Sequence, residues 1–288
     1  MSDANSTVGT LSCLSSLALI TVSGADRFTF LQGQLTNDIT KLGNELMPAG
    51  YCSPKGRLLA TPRLFQEGDT IGMIVAASNA DYLVKRLKMY VLRSKVTIER
   101  AADREVAGFV GDGALVFELP CALPQARIAA ALPSGLGLTI VPKGTACAGS
   151  EPLWWAACAA AGQSWVFGET AERFTPHAVN LDLIGGISFN KGCYTGQEVV
   201  SRIEHIGKTN RRTVLLAAND PLELAPGTDL TDNQGQVVAT VLYGAKLADR
   251  TLLLAEVSTE TAQSEAALDT TAATLHRLPL PYGWTRTK

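Results

Sequence analysis

The sequence predicts an α+β protein with two ferredoxin-like antiparallel-sheet lobes in residues 1–207, about 1–100 and 101–207 with room to intertwine, and a small β-barrel over 208–288. Three observations carry this expectation. Residues 17–99 alternate strand-like and helical periods in an order close to β-α-β-β-α-β with one extra strand, the split layout that sets helices on one face of an antiparallel sheet. Residues 106–141 repeat a weaker version of that order. After Gly207 the helical spacing gives way to alternating strands separated by turn residues. A chain of 288 residues can bury about three quarters of its unfolded surface, enough for a substantial core.

Leu17 to Val22 suits a short buried strand, and Ser23-Gly24-Ala25-Asp26 starts a helix carrying Phe28, Leu31 and Leu35 at helical spacing. Ser53-Pro54-Lys55-Gly56 is turn chemistry. Leu58 to Phe65 and Ile71 to Ala76 read as strands around the Glu67-Gly68-Asp69 turn. Asn79 caps a second helix with Tyr82, Leu83, Leu87 and Tyr90, and Lys95 to Glu99 closes the lobe as a strand. In the second round Val106 to Val110, Ala114 to Leu119 and Leu138 to Val141 read as strands and Pro124 to Leu132 as a helix. Gly144 to Ser150 is a loop, and Glu151-Pro152 opens an apolar helix from Leu153 to Ala161 with Trp154 and Trp155 at its head. Phe167 to Lys191 is mostly irregular, and loops that long are more often functional than idle. Arg211 to Ala218, Gln236 to Tyr243 and Thr251 to Val257 are the barrel strands, with Asn233-Gln234-Gly235 as a turn. Ser258 to Thr274 suits either a mobile loop or a short helix before a last strand near Leu275 to Leu280.

The composition excludes several classes. With 46% hydrophobic and 18% charged residues and a formal net charge of −2, the chain is neither disordered nor a globally basic nucleic-acid binder, and no direct nucleic-acid signal is read. Serines and a threonine interrupt Leu11 to Val22, which lacks a basic flank, so no membrane span or secretory signal is read and a cytoplasmic protein is expected. Cys13, Cys52, Cys121, Cys147, Cys158 and Cys193 form no C-x-x-C pair, which argues against a disulfide framework, a zinc ribbon or a self-contained iron-sulfur site. His177, His205 and His276 have no metal spacing with one another and read as structural or surface residues. No Walker loop, G-x-S-x-G elbow or helix-opening G-x-G-x-x-G is present.

The most specific stretch is Lys191-Gly192-Cys193-Tyr194-Thr195-Gly196-Gln197-Glu198, followed by Val199-Val200-Ser201-Arg202. Thr195 and Glu198 have capping-box spacing, which would start a helix at Gly196, and Tyr194 with Val199 has staple spacing. Cys193 then lies just ahead of a helix start and beside Lys191, a setting that favours a thiolate. The alternative is a cysteine packed as a small hydrophobe. Lys191, Arg202, Lys208, Arg211 and Arg212 against Glu198 and Glu204 leave the segment positive by five minus two, attractive to a carboxylate or phosphate or equally a solvated helix end. Trp154 and Trp155 could stack on a flat ligand or fill a core.

This stretch resembles the YgfZ family, folate-binding proteins related to the T-protein (aminomethyltransferase) of the glycine cleavage system. Phe30 to Asp38, Lys55-Gly56-Arg57, Arg63-Leu64-Phe65, Gly185-Gly186-Ile187-Ser188-Phe189 and Leu278 to Tyr282 extend the likeness over nearly the whole chain, with little from Val106 to Ser150. The resemblance implies a ring of two α+β lobes and a β-barrel holding tetrahydrofolate or a derivative. It also implies a role in iron-sulfur cluster assembly or repair for client enzymes, such as those that methylthiolate tRNA. It makes Cys193 the functional thiol beside Lys191, with Gly192, Tyr194, Gly196, Gln197, Glu198 and Arg202 as the motif, a transient iron-sulfur contact at Cys193, no self-contained metal site, and Trp154 as a folate contact. The T-protein aspartate near the folate amine is matched by Ala60 and Thr61, which argues against aminomethyl transfer. The T-protein Glu-Ala-Gly is Ala160-Ala161-Gly162 here, and the family's second folate-associated tryptophan falls at Leu17. The alternatives are a one-carbon folate enzyme of the aminomethyltransferase type and a folate-sensing module in which Cys193 only packs.

Overall fold

The computed structural model describes residues 11–43, 45–110, 126–127, 136–205, 207 and 209–283. In chain order the first part contains β1 (Leu11–Cys13), β2 (Leu17–Ser23), α1 (Arg27–Gln32), β3 (Met47–Pro48), β4 (Tyr51–Cys52), β5 (Leu58–Ala60), β6 (Arg63–Glu67), β7 (Thr70–Ala76), α2 (Ala80–Val91) and β8 (Thr97–Arg100). Then come β9 (Arg104–Val110), β10 (Ala126–Arg127), β11 (Leu136–Pro142), α3 (Glu151–Ala160) and α4 (Gln197–His205). The last part holds β12 (Arg211–Ala218), β13 (Asp229–Thr231), β14 (Val237–Lys246), β15 (Thr251–Ser258), α5 (Thr259–Gln263), β16 (Leu268–Asp269) and β17 (Thr274–Leu278).

The strands pair antiparallel in four sheets: β3-β6-β7-β2-β8, β1-β9-β11-β10, β13-β14-β15-β12-β17-β16 and the small β4-β5 ladder. β2 packs both faces, Leu17 and Leu19 into one core cluster and Ala18, Ile20 and Val22 into another, which explains why it reads as a nearly continuous apolar run. β1 leaves the first sheet and pairs with β9, Leu11 opposite Phe109. The turn between β16 and β17 reaches the edge strand β13, the Thr271 N–H donating to Thr231 O at 2.8 Å. α3 is apolar on nearly every side because it is a core helix, with Trp154, Trp155, Cys158 and Ala159 all buried. The Ser150 side chain caps it, accepting from the Leu153 amide at 3.4 Å. One apolar cluster runs from Leu14 and Leu19 through Trp154 and Trp165 to Leu242 and Leu254, so all three large sheets share a core.

Several expectations shift. The strand expected over Leu58 to Phe65 breaks into β5 and β6 at Thr61-Pro62, where proline has no amide for the ladder. α1 ends at Gln32, and Leu35 instead bridges to Tyr51. Ala126–Arg127, inside the expected helix Pro124 to Leu132, pairs as strand with Leu138 and Gly137; the rest of that helix and the strand Ala114 to Leu119 lie outside the described residues. After Ser258 the chain forms the short helix α5, capped by the Ser258 hydroxyl on the Thr261 amide at 3.0 Å. The argument against a disulfide framework meets one exception, the disulfide Cys13 to Cys147, which ties β1 to the loop before α3, while Cys52, Cys158 and Cys193 are free. The disulfide partners are 134 residues apart, a separation that no local pattern signals.

Candidate functional site around Cys193

Lys191 is half-buried, and its Nζ donates to the carbonyls of Gln32, Leu35 and Asn37, each at 2.7 Å. An ammonium has three protons, and all three are placed. Burial pushes its pKa down to about 8, opposed by the charge of Asp38. The Lys191 ammonium also lies 5.2 Å from the centre of the buried Tyr194 ring. The segment before it is pinned to the same region: Thr36 Oγ1 donates to Gly186 O at 2.6 Å, Asn37 Nδ2 to Gly185 O at 2.9 Å, and the Ser188 amide to Thr36 O at 3.0 Å. Between the anchors at Lys191 and Tyr194, Gly192 and Cys193 are exposed.

The C-terminal side of the loop is fixed by two glycines. Gly196 has φ +82°, and a Cβ there would sit 2.5 Å from Ser53 O and 3.1 Å from Gly56 Cα. Gly56, at φ +68°, would place a Cβ 2.6 Å from Val199 Cβ. The turn Ser53 to Gly56 and the start of α4 thus approach as only two glycines allow. The left-handed Gly196 also corrects the helix start, since α4 begins at Gln197 rather than Gly196. Glu198 does not close a capping box; it is exposed and pairs with exposed Arg202 at 3.4 Å. Gln197 is half-buried on the first turn.

Cys193 is the exposed free thiol among the described cysteines. Cys52 and Cys158 are buried, and burial pushes their thiols up to about 12 and about 11. The positive field expected around the motif is mostly neutralised: Lys191 is sunk in carbonyls, Arg202 pairs with Glu198, Arg211 with Glu256, and Arg212 binds both oxygens of Asp182 at 2.7 and 3.0 Å. Lys208 lies outside the described residues.

Trp154 is fully buried, its Nε1 donating to Gly137 O at 3.1 Å, and a Cβ on Gly108 would meet that nitrogen at 2.3 Å. It packs as core and offers no face to a ligand in this conformation. Leu17 is likewise buried, and Thr61 Oγ1 accepts from the Val166 amide at 2.9 Å.

Two buried polar groups have partners that the sequence reading did not assign. Arg63 is wholly inaccessible, with its guanidinium 4.6 Å from the Trp165 ring centre and donating to Thr61 O, Ser164 O and Gln163 Oε1. Its Nε has no partner, it has no ion pair among the described residues, and burial lowers its pKa to about 10. An arginine inside the apolar stretch Leu58 to Phe65 was the available signal. His177, Asp182 and Glu204 offer ligand atoms within 4.8 Å of one another, a grouping that spacing among histidines alone could not show. His177 Nε2 lies 3.2 Å from Glu204 Oε2, its Nδ1 has no partner, and burial lowers its pKa. With both Asp182 oxygens on Arg212, the group reads as a polar link between α4 and β12 rather than a metal centre: Glu204 meets His177 Nε2, and Arg212 donates to the His177 carbonyl and pairs with Asp182.

No protein-family model matches the chain. Over 304 aligned residues it is 32% identical to the "tRNA-modifying protein YgfZ" of Yersinia pestis (strain Pestoides F), covering 95% of this chain and 92% of that protein. It is 33% identical to the protein of the same name from Shigella boydii serotype 4 (strain Sb227), covering 95% and 93%. The fold resembles the crystal structure of glycine cleavage system aminomethyltransferase T from Bartonella henselae, with a TM-score of 0.65 at 15% identity over 94% of this chain and 85% of that one. No helix among the described residues is long and apolar enough to cross a membrane.

Proposed function

The chain belongs to the YgfZ family, and on that premise we propose that it supports tRNA modification as a folate-binding accessory protein for iron-sulfur client enzymes, with Cys193 as its functional thiol. The observation that carries this reading is the presentation of Cys193: a fixed loop holds one exposed thiol between a lysine bound to three carbonyls and a glycine-on-glycine contact. A soft thiolate suits iron, and further ligands would come from a client or a small thiol. Lys191 acts as a positioning residue, since its protons are already committed.

Folate enters through the family, and Arg63 supports it. A buried guanidinium over an indole, with one nitrogen unpaired and no carboxylate beside it, suits a flat ligand that bears acceptors. Arg63, Gln163 and Trp165 are as closed to solvent as Trp154, so a flat ligand would reach any of the four only after the core around them opens. When bound, folate would supply one-carbon carrier chemistry, whereas Ala60 and Thr61 leave the position of the aminomethyltransferase carboxylate without an acid. The same reading takes the antiparallel lobes as ferredoxin-like and the six-stranded sheet as the small barrel, supported by the Thr231 to Thr271 contact.

The test is rescue of cluster-dependent tRNA methylthiolation in cells lacking the protein, with wild type and Cys193→Ala at equal soluble expression. Rescue by wild type alone is expected. Equal rescue by both would remove the Cys193 thiol from the function and leave the Arg63 region as the site to pursue.

A further inference from the structure

The outer face of α2 carries a local charge that the whole-chain balance hides. Lys85, Arg86, Lys88, Arg93 and Lys95 are five cations over residues 85–95, a stretch without a single Asp or Glu, in a chain of formal charge −2. None of the five has an ion pair among the described residues. The two adjacent acids are occupied: Asp81 pairs with Arg100 at 2.8 Å, and Asp26 accepts the Lys95 amide at 2.7 Å. Large apolar side chains lie among the cations, with Tyr82 47%, Met89 65%, Tyr90 37% and Leu92 88% exposed. Leu83 and Leu87 point into the core, which fixes Tyr82, Lys85 and Met89 on the opposite side of the helix. Tyr82, Arg86 and Tyr90 follow at intervals of four, with Arg86 Nη1 3.5 Å from the Tyr82 hydroxyl.

At its N-terminal end the face runs into a cleft of about 480 Å³ lined by Ser78, Asn79, Tyr82, Gly168, Glu169 and Ala171. Asn79 is 2% exposed; its amide nitrogen donates to Leu59 O and Val166 O, and its Oδ1 has no partner. The cleft therefore offers an exposed aromatic ring and the Glu169 carboxylate, both suited to a group that donates, while the Asn79 carbonyl lies buried behind its wall.

We propose that this face binds RNA, the phosphate backbone lying along Lys85, Lys88 and Arg93 and an unstacked base resting on Tyr82 at the mouth of the Asn79 cleft. Cations interleaved with aromatic rings provide backbone attraction and stacking together. An acidic protein segment would share the cations but would meet the Glu169 carboxylate in the cleft, where a base brings amino or imino donors. That the RNA is tRNA rests on the family reading; the basic face does not.

The experiment measures binding of a fluorescein-labelled tRNA transcript to the full chain by anisotropy across a salt series, with poly-glutamate as competitor. Wild type and Cys193→Ala should bind alike, with log affinity falling steeply against log salt. Lys85→Glu/Lys88→Glu should weaken binding about tenfold or more and lower the salt slope by about two. Tyr82→Ala should weaken it about fivefold to a hundredfold with the slope kept. All replaced side chains are exposed, so unchanged thermal melting checks the fold. Absence of binding at low salt, binding indifferent to the double reversal, or poly-glutamate held on this face in preference to tRNA would each overturn the proposal. If tRNA fails to bind while Cys193-dependent rescue holds, the docking face falls and the function proposed above stands.

Discussion

An ammonium that gives all three protons to backbone carbonyls has none left for a neighbouring thiol. Lys191→Met therefore leaves the carbonyls of Gln32, Leu35 and Asn37 without their donor, and a loss of about 2–4 kcal/mol is expected from denaturant unfolding. The rate of Cys193 alkylation by iodoacetamide at one fixed pH should stay where it was; a changed rate at unchanged stability would make Lys191 a chemical partner instead. His177 makes a second residue-level prediction. Its folded pKa lies below the ordinary value of 6.5 because burial disfavours the imidazolium, with Asp182 and Glu204 pulling the other way. The unfolded chain takes up the proton first as pH falls, so this contribution is complete above pH 6.5 and is lost as pH drops through the folded pKa. Thermal midpoints measured from neutral pH downward should fall less steeply in His177→Gln than in wild type.

At the scale of elements, the motif works as a contact between the Ser53 to Gly56 turn and the first turn of α4. Gly196→Ala must relieve both a left-handed φ and a 2.5 Å approach to Ser53 O, and Gly56→Ala a 2.6 Å approach to Val199. Each should destabilise by about 1–3 kcal/mol, and the double variant should cost less than the sum because both open one interface. Additive losses measured by denaturant titration would mean that the two sites are independent. These elements also show what the sequence made legible. The turn, the positions of β2, β7 and α2 and the apolar face of α4 follow from local periods and turn residues, whose signals lie within a few positions. The start of α4 was misplaced by one residue because capping-box spacing is local, whereas the φ of Gly196 is set by a turn 140 residues earlier. The Lys191 carbonyls, the Cys13 to Cys147 bond and the pairing of His177 with Glu204 are likewise tertiary. Trp154 was ambiguous for the same reason: an indole at the head of an apolar helix has one sequence pattern whether it faces a ligand or a core.

Over the whole molecule, three parts of the chain meet at Gln163. Arg63 from the first lobe donates to its side chain at 3.3 Å, and Tyr243 from the C-terminal sheet donates to its carbonyl at 2.6 Å. Trp165 two residues on stacks on Arg63 and donates to Cys158 at 3.3 Å. A guanidinium without a counter-ion is a costly choice for such a junction, since burial drives its pKa down to about 10, partly opposed by Cys158 and Tyr243. Arg63→Met removes that buried charge but strips three acceptors of their donor, so the ligand-free stability should change by only about 1 kcal/mol in either direction. The consequence appears with ligand present. Tetrahydrofolate added in excess should raise the thermal midpoint of wild type by mass action and leave that of Arg63→Met unmoved, because the group that answers the ligand's acceptors is gone. Equal midpoint shifts in the two proteins would make Arg63 a structural joint between the lobes and the C-terminal sheet, and would move the folate proposal to another part of the interior.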